Sequence, residues 1–439
     1  MDISAFKTGT VETGLGLFLV VCLICWRLVQ RKRYVLLLLW PVLIYFCGPT
    51  LTALFADIPS LGRYVFAESA MAETLILFAY VAAFYVADRV FDLSALIGAA
   101  FSSPQIQALA RSPVFLLIYL PVTLVAIALQ IRMFLELGLA ITGGQYGMDA
   151  HVEGLIPYWG FLAGLYEIVF LFVVLFLLSE QRGTRRLVVV GAYVLAGALR
   201  LAGGTRLLLI KEIAVIVIIF YMQGKIGGRR LALTAAIVMV VGSVVGLLRA
   251  HEGGLGSEIP GPVFALVMES GLNALTFNIA YQAQLSGFIA HHQQVLNTIQ
   301  FVLMSAMPTF LRFGVDQTQL DGLSPYNAAL SGFDTYSPVG GMSGFATLCY
   351  LTSYPLLATL ALVMAIGCLL RYTPKGHYKH ILVVVFCINA IHFWRDPIDI
   401  AVKNFVQDVL CALVLLYIPA PRNSALTSPE LQASGAVPA

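Results

Sequence analysis

Charge is what this sequence has least of. Only 11% of its 439 residues are Asp, Glu, Lys or Arg, against about 25% in a soluble domain. With 59% hydrophobic residues and a mean hydropathy of +0.88, the soluble globular and disordered classes are excluded. The chain also lacks the succession of ~10-residue alternating segments of an outer-membrane barrel; its apolar runs are unbroken and helix-long. The seven cysteines fall inside apolar runs without metal-ligand spacing, so they read as small buried hydrophobes rather than disulfides or a metal centre. No P-loop or dinucleotide fingerprint is present, so no cofactor, metal or nucleic-acid partner is expected. Internal repeats are absent, which weighs against a transporter built from repeated halves. The expected fold class is an all-α polytopic membrane protein.

Eleven apolar stretches can be placed, near 12–28, 34–55, 66–87, 114–137, 156–179, 187–203, 207–223, 231–248, 344–370, 381–394 and 400–420. The first is followed by Arg27, Arg31, Lys32 and Arg33, where a signal peptide would have a small-residue cleavage site, and therefore reads as a retained helix. Lys and Arg recur in alternate connections: the group just named, then Arg89/Arg111, Arg182/Arg185/Arg186, Lys225/Arg229/Arg230, Arg371/Lys375/Lys379 and Arg422. By the positive-inside rule these connections are cytoplasmic, which puts the N-terminus outside and the C-terminus inside with eleven spans; of the 11–12 transmembrane helices the hydropathy allows, a twelfth would change that parity. Four regions follow: a bundle over 1–248, a long periplasmic loop region over 249–343, the last three spans over 344–420 and a polar, disordered tail over 421–439. The loop region holds two weaker apolar patches, Pro262 to Ala280 and Val295 to Phe313. They read as amphipathic or re-entrant helices, because Glu269, Asn273, Asn278 and Gln282 would otherwise face lipid.

The charges that break this pattern are the informative ones. Arg63, Arg132, Arg200, Arg206, Arg249, Arg312 and Arg395 all fall on the outer side, most within a turn or two of a span end. Arg200-Leu201-Ala202-Gly203-Gly204-Thr205-Arg206 is a hinge between two spans with a guanidinium at each end. An arginine near lipid costs roughly 2.5–3.5 kcal/mol on insertion scales, so each needs a partner. Glycines there bend the backbone and bare its N–H groups to an anion. Each arginine singly could snorkel or pair with a neighbour such as Asp396 or Glu252. Together, Arg200, Arg206, Arg249, Arg312 and Arg395 are expected to converge on phosphate, which guanidinium binds bidentately.

His251 and Glu269 are the expected general bases. The loop Gly143 to Glu153, with Asp149 and His151, reads as solvated, and His291-His292 lacks a third ligand for a metal. Within spans, Lys211-Glu212 is expected to neutralise itself, while Glu73 and Glu167 need partners, arginines among them. Gly341-Met342-Ser343-Gly344 with His392 is similar to the serine and histidine of rhomboid proteases, although no glycine spacing around His392 prepares a close helix approach.

A polytopic chain with an Arg-x-x-Gly-Gly-x-Arg hinge (Arg200 to Arg206) resembles the Wzy-type polymerases of bacterial oligosaccharide repeat units. Its long outer loop ending in Gly340-Gly341-Met342-Ser343-Gly344 and the late Arg395 at a span end fit the same family. It departs from that family where many members carry an acidic residue after the Gly-Gly-x-Ser segment; here Thr347 and Tyr350 stand instead. The resemblance implies a GT-C-like glycosyltransferase of the inner membrane, with its active site on the periplasmic side. It would move a glycan from an undecaprenyl diphosphate carrier to a sugar hydroxyl on a second carrier-linked unit. Membrane lipid, a chain-length regulator and a flippase would be its partners. An O-antigen ligase, a lipid-linked oligosaccharide flippase and a non-catalytic scaffold are the competing readings.

Overall fold

The computed structural model of the protein describes residues 3–55, 62, 65–137, 156–179, 183–202, 206–237, 240, 262–287, 289–306, 343–373 and 377–416, and every regular element among them is helical. The first half holds α1 (Ile3–Gln30), the short α2 (Leu36–Leu39), α3 (Val42–Tyr45) and α4 (Gly48–Leu51), then α5 (Ala67–Phe91), α6 (Leu93–Phe101), α7 (Pro104–Arg111) and α8 (Pro113–Leu137). After these come α9 (Ile156–Leu178), α10 (Thr184–Ala202) and α11 (Arg206–Met222). The last part holds α12 (Pro262–Leu285), α13 (His291–Ala306), α14 (Gly344–Leu351), α15 (Pro355–Tyr372), α16 (His377–Arg395) and α17 (Ile398–Leu416). Among the described residues four helices are long and apolar enough to cross a membrane: Gly9–Gln30 in α1, Ala67–Phe91 (α5), Val114–Glu136 in α8, and Pro355–Tyr372 (α15). Shorter apolar helices lie at Leu36–Leu51 and Gly164–Leu178, the pattern of a multi-pass α-helical membrane protein.

Prolines decide where the apolar runs break. The stretch expected as one span over 34–55 is a chain of short pieces, α2 to α4 and a 3-10 turn at Thr52–Phe55. Pro41 and Pro49 have no N–H to give to a helix ladder, and tighter bonds such as Leu37 N to Tyr34 O and Ile44 N to Pro41 O, both 2.9 Å, replace it. The stretch over 344–370 also splits. Thr352 is extended (φ −154°, ψ 150°), and Pro355 opens a fresh helix. The connection with Arg89 and Arg111, expected as a loop, is helical as α6 and α7. Asp92, in the left-handed region (φ 51°), turns the chain from α5 into α6.

Contacts between helix ends sort the bundle into two faces. Arg33 Nε donates to Asp88 Oδ2 (2.9 Å), joining the ends of α1 and α5, and Tyr221 OH reaches Val29 O (3.4 Å) from the end of α11. Arg185 donates to Arg111 O (2.9 Å) and Ser112 O (2.8 Å), so α10 begins where α7 meets α8. Lys379 Nζ bonds Thr373 O (3.1 Å), and His380 Nδ1 lies 2.9 Å from Ser103 Oγ. Among the described residues the basic clusters therefore share one face. The other face is tied together by α12. Its Gln282 Nε2 donates to Ser69 Oγ at the start of α5 (2.9 Å), and Gln284 Nε2 to Ser353 O just before α15 (2.9 Å). Asn273 Nδ2 reaches Trp394 O at the end of α16 (3.4 Å). The amides that would be misplaced in lipid thus face protein. Beneath them Tyr80, Phe345 and Trp394 pack edge-on, with ring centroids 5.1–5.3 Å apart, and anchor the end of α16.

Candidate functional site

The buried charges of four helices meet beneath the α12 face. Lys211 Nζ of α11 donates to Glu167 Oε2 of α9 at 2.5 Å and lies 2.8 Å from His392 Nε2 of α16. Arg200 Nη1 of α10 donates to Glu212 Oε1 of α11 at 2.5 Å, its Nη2 is 3.7 Å from Glu167 Oε1, and its guanidinium stacks 4.6 Å over the Tyr166 ring. Tyr193 OH donates to Glu212 Oε2 at 2.5 Å. Lys211 is 0% and Arg200 2% exposed, so each cation needs its carboxylate; an unpaired ion in that position costs several kcal/mol.

The crossed pairing follows from helix geometry. Neighbours on a helix point about 100° apart, so Lys211 and Glu212 do not face each other. The expected self-neutralisation is replaced by two pairs across the α10–α11 hairpin and α9. Glu167 obtains the partners its position demanded, and an arginine is one of them.

The cluster opens toward the surface through the end of α16. His392 Nδ1 lies 2.5 Å from Asp396 Oδ2, one helical turn on, while Asp396 Oδ1 is 3.4 Å from Arg395 Nη1. His392 Nε2 thus faces Lys211 and, at 3.6 Å, Glu167 Oε2, while its Nδ1 faces Asp396. Pro397 ends the helix here. Burial alone would raise the Asp396 carboxyl; the Arg395 guanidinium and the His392 hydrogen bond outweigh it and hold the carboxyl below the usual range. Arg395 and Asp396 keep 33% and 16% of their side chains exposed, the outlet of the network at this end. Ile398 N donates to Thr347 Oγ1 (3.2 Å), which fastens α14 behind this corner.

Ser343 and His392 form no catalytic pair. Ser343 Oγ caps α14 by accepting from Ala346 N (3.1 Å), and both His392 ring nitrogens are engaged by Lys211 and Asp396. The close helix approach not foreseen around His392 does exist, and Gly344 supplies it: a Cβ there would lie 2.6 Å from Phe393 O. His291 is satisfied by Tyr350 O and Ser353 Oγ, and no group of three potential metal ligands occurs among the described residues.

Of the expected phosphate-binding set, Arg200 is in the buried network and Arg395 at its outlet. Arg206 opens α11 and Glu269 lies on α12, but their side chains are outside the described residues, as are Arg63, Arg249, His251, Arg312, the loop 143–153, the hinge 203–205 and the tail 421–439. Asp396 was noted in the sequence only as a local partner for Arg395. Its i,i+4 spacing from His392 beside a proline was the signal that could have raised it. Tyr193 carried no signal. No protein-family model, curated protein or solved structure matches this chain.

Proposed function

We propose that the chain polymerises undecaprenyl-diphosphate-linked oligosaccharide repeat units at the periplasmic face of a bacterial inner membrane. The observation that supports this reading is the Arg395–Asp396–His392 corner: a partly exposed guanidinium beside a partly exposed carboxylate, held from behind by a buried charge network. Arg395, with Arg206, Arg249 and Arg312, takes the diphosphate leaving group of the donor. The bond from the donor sugar's anomeric carbon to phosphate oxygen breaks, and the acceptor hydroxyl oxygen forms the new bond to that carbon. The hydroxyl proton passes to Asp396, with His251 and Glu269 the alternative acceptors. Arg200 acts through Glu212 and Glu167 as a positioning residue. The missing acid at Thr347 is met by Asp396, on the connector that Thr347 itself fastens.

The test is deletion of the gene in its host, with the surface glycan resolved on a gel. Core bearing one repeat unit and no ladder supports polymerisation; core without repeat units supports the ligase, and an unchanged ladder defeats both. Complementation with Arg395→Lys should leave the ladder short or absent at normal protein level, since lysine cannot make the bidentate contact.

One observation favours transport as a second reading: Asp396, His392, Lys211 and Glu167 form a continuous line of ionisable groups. Such lines relay protons in carriers. Substrate-dependent proton uptake into proteoliposomes, lost in Asp396→Asn at unchanged melting temperature, would select it.

A further inference from the structure

A groove of about 610 Å³ runs along the outside of α9, α10 and α11, away from the Arg395 corner. That size is typical of ligand clefts, about 300–1,000 Å³. Its walls are apolar: Val173 and Leu177 from α9, Val190 from α10, Ile216 and Phe220 from α11. Tyr193 lines it at one end and Arg186 at the other, two helical turns apart, about 10 Å along α10. The surrounding surface of α10 is greasy and open, with Leu187 and Val194 both exposed, as expected of a lipid-facing helix.

Two cations mark the Arg186 end. Arg186 is exposed and has no carboxylate partner among the described residues. Lys225 Nζ lies 5.6 Å over the ring of Phe220, itself part of the groove wall. An apolar trough with positive charge at one end matches an amphiphile with an acidic headgroup. We propose that the groove holds one acyl chain of an anionic phospholipid, its headgroup at Arg186 and Lys225. The occupant then covers Tyr193, whose hydroxyl holds Glu212, and shields the buried network from that side. The proposal needs a bilayer around the helices but not the polymerase reading.

The test is native mass spectrometry of the full chain released from nanodiscs of equal parts phosphatidylglycerol and phosphatidylcholine with matched acyl chains. The wild type should retain phosphatidylglycerol preferentially, and Arg186→Gln should lower that preference about fivefold. Val194→Trp, at a lining position already 60% exposed and so tolerant of bulk, should reduce retention of both lipids, while Leu195→Trp on the neighbouring face should not. Equal retention of the two lipids, an Arg186→Gln preference like the wild type's, or identical behaviour of the two tryptophan variants would overturn the proposal. Each readout is independent of glycan synthesis.

Discussion

A lysine ammonium with none of its surface exposed needs a carboxylate to face it. For Lys211 that carboxylate is Glu167, and the same carboxylate lies near Arg200. Glu167→Gln is therefore expected to destabilise the protein by about 3–5 kcal/mol, because it leaves a buried ammonium uncompensated. The double change Glu167→Gln with Lys211→Met removes both ions and should recover much of the loss. Apparent melting temperatures of the purified variants decide the matter: a double variant as unstable as the single, or worse, would show that the pair is not coupled. Part of this site was legible. Glu167, Lys211 and Glu212 stood out as charges in apolar runs, and Arg200 as a charge at a span end. The pairing was not legible, because Arg200 and Glu212 are twelve positions apart across a hinge, and a sequence does not show which way a helix face turns.

At the scale of elements, the corner at Asp396 depends on how closely α14 lies against α16. Gly344 permits that approach, since a methyl group there would sit 2.6 Å from the Phe393 carbonyl oxygen. Backbone cannot step aside as a flexible side chain does. Gly344→Ala should cost about 1–3 kcal/mol of stability and displace the connector that Thr347 holds. Gly16→Ala, with nothing within 4 Å of the added carbon, serves as the control and should be neutral or slightly stabilising. Equal melting temperatures for the two variants would mean that α14 is free to move. The helices flanking this corner were visible as apolar runs, but the break at Thr352 was not read, although Pro355 was in plain view. Hydropathy averages over a proline; the backbone does not. In the same way Asn273 and Gln282 mark α12 as an amphipathic or re-entrant helix in the sequence, without naming their partners. Asn273 and Gln282 bond Trp394 and Ser69, and the neighbouring Gln284 bonds Ser353, partners contributed by distant parts of the chain.

For the whole molecule, two faces with opposite chemistry constrain how it can sit in a bilayer. The ends of α1, α5 and α11 and the starts of α10 and α16 meet at one face with their lysines and arginines. Positive charge is retained in the cytoplasm, so this face should be the inner one. The Arg395 corner and α12 should then face outward, as the proposed use of a lipid diphosphate already carried across the membrane requires. Single cysteines placed in a Cys368→Ser background test this directly, since Cys368 is the exposed native thiol among the seven. Tyr354→Cys lies beside the Ser353 contact with α12, and Arg230→Cys lies just past the basic end of α11; both positions are exposed. A membrane-impermeant maleimide added to intact spheroplasts should label Tyr354→Cys and spare Arg230→Cys, and lysis should expose both. The reverse pattern would put the Arg395 corner in the cytoplasm, where sugar nucleotides rather than lipid-linked repeat units are the available donors, and the polymerase reading would fall with it.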